Sequence, residues 1–531
     1  MPQQSNSTLI QARELAQQGN WVEAERLCEH LLAKPDVECE THNLLGVIHN
    51  IQGRFAEAEQ MLRQAVAEQP HIAKYHSNLG NALWGLERFE DAEVCYRQAL
   101  AIDPAFEDAR ANLAKLMHLV QDLDSAIAEY QFLVRSNPNS TAYHATLALL
   151  LESLNRFGEA EEVAEAGLKL DPTSPNLNLV LGICERNSGK LEESLQRFES
   201  IDPSKLGAQE GVLFHIERGL LYDRLNRIEP AFTDFMEGNR LEQSHHTGAN
   251  KARYIERLDS MAHLDVGWLK DRQAIASEPP TPVFLVGFPR SGTTLLDQIL
   301  DSHPNIQTME EKPVLARLCQ DMDTLSQHHP EGLKDIKRDD LVRLRQLYYQ
   351  YVADFMELRP GNLLIDKLPL NITKIPYILT VFPDARFILA LRHPCDCVLS
   401  CFMHWFKPND AMANFNTLGD TATLYAKVMG LWQKWADNVP LHYHQIYYEN
   451  LVQDLTAEIK PLMDFLCLDW QEQMTRPHEH AKQRGFINTP SRSQVIQPVY
   501  QRASGRWRRY QPYMSEVMGT LQPYIEYFGY D

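Results

Sequence analysis

A 34-residue periodicity governs the first half of this 531-residue chain. Between Ala73 and Pro104, small or apolar residues stand at Leu79, Gly80, Leu83, Ala92, Tyr96, Ala99 and Pro104. One period earlier the set recurs as Leu45, Gly46, His49, Ala58, Leu62, Ala65 and Pro70. One period later it is Leu113, Ala114, Met117, Ala126, Tyr130, Leu133 and Pro138, and after that Leu147, Ala148, Leu151, Ala160, Ala164, Gly167 and Pro172. A fixed period of this length is the signature of stacked supersecondary units. Small residues at the Gly80 and Ala92 positions let two antiparallel helices approach, Tyr96 and Ala99 fill the groove, and Pro104 ends the second helix.

This pattern resembles the tetratricopeptide repeat (TPR). Weaker units flank the four clear ones: Trp21 with Ala24; Leu181, Gly182, Ser194 and Phe198; and Gly219, Tyr222, Ala231 and Phe235. About seven repeats are expected, over residues 1–245, each burying its face against its neighbours. The resemblance implies that the concave face binds a protein or peptide, either an acceptor or a partner. His42, His76 and His144 share one repeat position, which reads as packing or lining of the inner surface rather than as metal ligation. Repeat phase is lost after Ser244. Residues 246–280 read as a partly helical, proline-rich linker ending in Glu278-Pro279-Pro280-Thr281-Pro282. Residues 281–531 read as a second domain.

A net charge of −20 excludes a general nucleic-acid binder, since phosphate contacts need a basic footprint. The longest apolar runs, such as Leu147 to Leu151, fall far short of the roughly 20 residues a spanning helix needs. Met1 to Ser7 is polar and carries no signal pattern, so a cytoplasmic location is expected. Nine cysteines form no disulfide framework. Their one cluster, Cys395, Cys397 and Cys401, lacks the paired spacing of a zinc site even with His393 and His404 nearby, and no metal is expected.

After the proline stop the pattern changes. Val283 to Val286, Leu363 to Ile365, Phe387 to Leu391 and Gln445 to Tyr448 are short apolar runs separated by helical stretches. Strands alternating with helices predict an α/β domain with a parallel sheet, whose ligands sit at the strands' carboxyl ends. The first run leads into Gly287-Phe288-Pro289-Arg290-Ser291-Gly292-Thr293-Thr294. Gly287 and Gly292 have Walker A spacing, and Thr294 stands at its Ser/Thr position, but Thr293 replaces the lysine. Without that lysine, ATP or GTP hydrolysis and a P-loop kinase are disfavoured. The backbone N–H groups and the helix start still form an anion cradle.

This loop, followed by Asp301-Ser302-His303-Pro304, resembles the 5′-phosphosulfate loop of sulfotransferases that use 3′-phosphoadenosine-5′-phosphosulfate (PAPS). It is most similar to tyrosylprotein sulfotransferases and bacterial TPR-sulfotransferases. The resemblance covers about residues 281–510. It implies PAPS as co-substrate, PAP as product, and a donor site of Arg290, Ser291, Gly292, Thr293, Thr294, Arg392, Ser400, Tyr448 (Tyr447 if the register slips) and Arg506. Arg392 and Ser400 would hold the 3′-phosphate, the feature that sets PAPS apart from ADP-like nucleotides. Arg506 stands where the family usually has lysine. The resemblance also implies catalytic roles: Glu311 (or Glu310) as base, Lys367 and Arg290 on the transferring oxygens, and Ser491 (or Ser493) on the transition state. Pro313 departs from the family's arginine beside the acidic pair. The expected reaction is sulfuryl transfer to a hydroxyl on a protein or peptide, tyrosine first. A glycan or small-molecule acceptor, or a TPR scaffold with an inactive nucleotide domain, are the alternatives.

Overall fold

The computed structural model describes residues 2–32, 34, 37–120, 122–245, 248–272, 279–326, 330–484, 489 and 492–531. Contacts divide the chain into two compact units, Met1–Cys184 and Glu185–Asp531.

The first unit is all helix. Its hairpins include Glu38–Ile51 with Phe55–Glu68, Ala73–Gly85 with Phe89–Ile102, and Glu107–Leu119 with Leu123–Ser136. The small repeat residues do what their spacing requires. A Cβ added at Gly80 would lie 2.6 Å from the Tyr96 ring, and one at Gly46 would lie 2.4 Å from Leu62. Ala92, Tyr96 and Ala99 are fully buried. Asparagines link successive hairpins: Asn78 Nδ2 donates to Asn43 Oδ1 (2.7 Å), and Asn112 Nδ2 donates to Asn81 Oδ1 (3.0 Å), which also accepts from the Tyr96 hydroxyl (2.7 Å). His76 and His144 bond to the Pro70 and Ser140 carbonyls, and His42 Nδ1 stands 2.9 Å from Glu68.

The second unit begins inside the helix Pro175–Ser188, well before the repeat phase ends. The helices Ala208–Arg224 and Ile228–His245 keep the repeat chemistry, with Gly219 against the Phe235 ring at 2.6 Å for an added Cβ. They nevertheless share one apolar core with the sheet, since Val212, Ile216, Ala231 and Phe235 cluster with Phe284 and Val286. The helix Lys251–His263, in the stretch read as a linker, is packed too. Leu258 and Met261 are buried, and Lys434 Nζ donates to the Ala262 and Leu264 carbonyls (both 2.6 Å).

Five strands form one parallel sheet: β1 (Val283–Gly287), β2 (Ile306–Glu310), β3 (Leu363–Lys367), β4 (Arg386–Leu391) and β5 (His442–Tyr447), in the order β2-β3-β1-β4-β5. The strand β2 has no apolar run to announce it. Its Gln307 and Thr308 are buried polar residues. Gln307 Nε2 donates to the Glu357 carbonyl (3.0 Å) and its Oε1 accepts from Arg359 N (2.6 Å), while Thr308 N donates to Asp301 (2.9 Å). The strand β5 stops one residue short of expectation, and Tyr448 opens the helix Tyr448–Gln453. Among the described residues no helix is long and apolar enough to cross a membrane.

Gly80→Val forces a branched side chain into the Tyr96 ring, and overpacking of this kind costs about 1–3 kcal/mol. Urea unfolding of the full chain is expected to show that loss in the helical transition.

Candidate active site

The first strand places the anion cradle. β1 runs into the turn 288–292, and the helix Thr293–Asp301 starts directly behind it. The turn needs two left-handed residues, Arg290 (φ 70°) and Gly292 (φ 100°). A Cβ at Gly292 would stand 2.7 Å from the Tyr448 ring, so only glycine suits both the dihedral and the space. Ser291, Thr293 and Thr294 are buried, and Thr294 Oγ1 donates to Thr489 Oγ1 at 3.3 Å.

The fourth strand supplies the opposing wall. Arg392 follows β4, Ser400 lies on the helix Pro394–Phe402, and His404 follows that helix. Residues 392, 396, 400 and 404 are spaced by four, with Asp396 and Ser400 on one face of that helix and Arg392 and His404 beyond its two ends. Arg290 is the hub of this group. Its Nε donates to Ser400 Oγ (3.1 Å), and its Nη2 donates to His404 Nε2 (3.2 Å) and to Gln494 Oε1 (3.2 Å). His404 Nδ1 donates to the Ser400 carbonyl (2.8 Å), which leaves Nε2 as the acceptor. Burial, with Arg290 alongside, holds the imidazole far below its ordinary pKa, so His404 is neutral.

Arg392 Nη1 donates to the Arg290 carbonyl (3.0 Å), and its Nη2 donates to the Ala503 carbonyl. Its guanidinium lies 4.9 Å from the centre of the Tyr448 ring. Tyr447 instead packs against Tyr530, and Tyr448 borders the cleft. Asp396 stands 3.8 Å from Arg392 and accepts from the backbone of Gly505 (2.7 Å) and Trp507 (2.9 Å), so it holds the segment that carries Arg506. Burial and the charges of Arg392 and Arg506 pull the Arg290 guanidinium down to about 10.

At the carboxyl ends of β2 and β3, Glu310, Glu311 and Lys367 meet. Lys367 Nζ is 3.2 Å from Glu310 and 2.9 Å from Glu311. Glu311 has left-handed backbone (φ 50°), and its N–H donates to the Lys367 carbonyl at 2.7 Å. The twist separates the two carboxylates, so that Glu311 lines the cleft while Glu310 is turned inward. Burial, only partly countered by Lys367, raises the Glu310 pKa. Burial opposes the Lys367 charge, but Glu311, Glu310 and Asp297 outweigh it and hold its pKa above the usual lysine value.

Between these groups lies a cleft open to solvent. Arg290, Gly292, Thr293, Thr294, Glu311, Arg392, Ser400, Tyr448 and Arg506 all border it. Lys367 is fully buried behind the glutamates and is not among the bordering residues. Ser491 lies outside the described residues, as does the side chain of Ser493. Of that segment, Thr489, Gln494, Val495, Gln497, Val499 and Tyr500 close one side. The cysteine cluster is spread among other partners. Cys401 Sγ faces the Pro289 carbonyl, Cys397 Sγ faces the Arg392 carbonyl, and Cys395 Sγ faces Met518.

The site's chemistry is that of an anion receptor. Ser291 Oγ and Arg392 Nε are buried with no hydrogen-bond partner among the described residues. Buried polar groups rarely stay unpaired, so these donors fit a multiply charged ligand. Sequence reasoning did not find His404, Asp396 or Gln494 as site residues. The four-residue spacing from Arg392 was the available signal for the first two; Gln494 has none.

Residues 282–472 match the sulfotransferase family, and tetratricopeptide repeat families match residues 6–30, 36–105, 83–150 and 145–204. Residues that match tetratricopeptide repeats thus precede residues that match the sulfotransferase family. Among curated proteins it is 26% identical over 403 residues to an uncharacterized protein of Aquifex aeolicus (72% of this chain, 50% of that one). It is 25% identical over 278 residues to a protein-tyrosine sulfotransferase of Drosophila melanogaster (47% and 51%) and 25% identical over 314 residues to human protein-tyrosine sulfotransferase 1 (56% and 83%). The chain spans about half the length of the first two.

Beside Lys367, Asp366 is fully buried, takes hydrogen bonds from Tyr348 (2.9 Å) and Asn371 (3.3 Å), and is pushed by burial up to about 7. A carboxyl whose pKa rises on folding binds more protons folded than unfolded. Its contribution to stability is therefore largest below pH 4 and is lost as pH rises through 7. Relative to Asp366→Asn, the wild type is expected to lose up to about 4 kcal/mol between pH 4 and pH 8, read by denaturant titration at each pH.

Proposed function

We propose that this protein transfers a sulfuryl group from PAPS to an acceptor hydroxyl on a protein or peptide, tyrosine first, and that the repeats recruit the acceptor or a partner. The observation that carries the reading is the set of guanidinium groups bordering the cleft, Arg392 buried and Arg290 and Arg506 partly so, around a Walker-type turn that lacks the nucleotidase lysine. The turn's N–H groups and Ser291 suit the 5′-phosphosulfate. Arg392 and Ser400 suit the 3′-phosphate, and Tyr448 offers an aromatic face beside it. Leu370, Phe406 and Met412 add an apolar wall that suits an aromatic acceptor.

In this reading Glu311 takes the acceptor's proton as the acceptor oxygen bonds to sulfur and the bond from sulfur to the phosphate oxygen breaks. Arg290 faces the charge that builds on the transferring oxygens. Lys367 reaches the cleft only past Glu311. Its ammonium pairs with that carboxylate and supplies positive charge behind it. Ser491 keeps the transition-state role implied by resemblance. No step calls for a metal.

Three measurements test the reading. PAP is expected to raise the melting temperature where ADP and ATP do not; no shift with PAP removes the proposal. Glu311→Gln is expected to lower kcat by about 10²–10⁴-fold while PAP affinity stays within twofold, since the lost group is a base and not a donor contact. Near-normal turnover moves the base elsewhere. Labelled PAPS offered to tyrosyl peptides, glycans and small phenols identifies the acceptor.

A further inference from the structure

The arginine that closes the donor site, Arg506, is anchored on a repeat-type helix, outside the part that matches the sulfotransferase family. Asp223, near the end of the helix Ala208–Arg224, is buried and gathers the segment 506–510 around one carboxylate. Arg509 Nη2 donates to Asp223 Oδ1 (2.8 Å), the Tyr510 hydroxyl donates to the same oxygen (3.0 Å), and Oδ2 faces Arg506 Nε at 3.8 Å. Arg509 Nη1 also donates to the Asp223 carbonyl (3.1 Å) and to Asn226 Oδ1 (3.2 Å), tying the segment to the turn after that helix. The companion helix Ile228–His245 supports the opposite wall. Asn239 Nδ2 donates to the Phe402 carbonyl (2.9 Å), between Ser400 and His404, and Phe232 stacks on Tyr513 with centroids 3.9 Å apart.

We infer that Asp223 is a positioning residue for the donor site, holding Arg506 over the cleft, and that the helix pair 208–245 is a structural part of the catalytic centre rather than a detachable repeat. Three features carry this. The carboxylate is nine-tenths buried, so its charge is felt strongly by its neighbours. Its partners come from one short segment. That segment is fixed at its other side by Asp396, itself one turn from Ser400. Two carboxylates, one from each side, therefore set where Arg506 stands. Arg506 Nε lies too far from Asp223 to hydrogen-bond, so the aspartate orients the guanidinium without consuming its donors.

The inference rests on the reading of Arg506 as a donor-site residue, and the experiment separates the two. PAP titration of the full chain establishes the donor site; if the wild type does not bind PAP, the proposed function fails first. Given binding, Asp223→Asn is expected to weaken PAP and raise the donor KM by about tenfold, with kcat at saturating donor within twofold and acceptor KM unchanged. In an Arg506→Ala background the same substitution is expected to have no further effect on PAP, because its action passes through Arg506. Unchanged PAP affinity in Asp223→Asn, or an equal loss in both backgrounds, overturns the inference. If Asp223→Asn fails to fold, Asp223→Glu keeps the charge but displaces it; a severalfold loss of PAP affinity with kcat retained supports the role, and wild-type affinity overturns it.

Discussion

Burial of guanidinium charge is the constraint around which the second unit is arranged. Removing an ion from water is costly unless its surroundings replace the solvent. Arg392 is buried and Arg290 partly so, and each has acceptors placed for it: Ser400, a neutral His404 and Gln494 for Arg290, two backbone carbonyls and Asp396 for Arg392. The four-residue spacing from Arg392 to His404 gathers cation, anion, hydroxyl and imidazole on and beside the helix Pro394–Phe402. Both guanidinium groups also border the cleft. A site built this way is held rigid by its own polar framework and keeps its spare donors for an anion.

The two halves were legible in the sequence to different degrees, for physical reasons. Helical repeats declare themselves because each unit must bury the same face in the same way, so Gly46, Gly80 and Gly219 recur opposite Leu62, Tyr96 and Phe235. Four of the five strands were visible as apolar runs because a parallel sheet is covered on both faces. β2 was not, because its buried Gln307 is satisfied by backbone groups that no local pattern reveals. The turn 287–294 and the pair Arg392 and Ser400 were readable since their chemistry depends on short spacing. Gln494 reaches Arg290 from two hundred residues away, and Asp223 reaches Arg509 from almost three hundred, and neither is written in local sequence.

The loss of repeat phase near residue 245 marks where one pattern stops, whereas packing follows apolar surface. Ile216 and Phe235 face the sheet's own core, and the helix Lys251–His263 continues that cover. A change of periodicity in sequence and a change of contact in space are thus separate events, displaced along the chain.

The gathering of Asp223, Arg290, Arg392 and Arg506 also sets an order in time. Chains emerge from the ribosome amino end first, and a repeat array gains stability unit by unit as each neighbour arrives. The cleft has no such incremental route. Its cradle is made midway through synthesis, its second wall a hundred residues later, and its closing arginine only when residues 505–507 dock on Asp396. Until then the cations lack their full set of neighbours, and the helices 208–245 lack the sheet whose core they share.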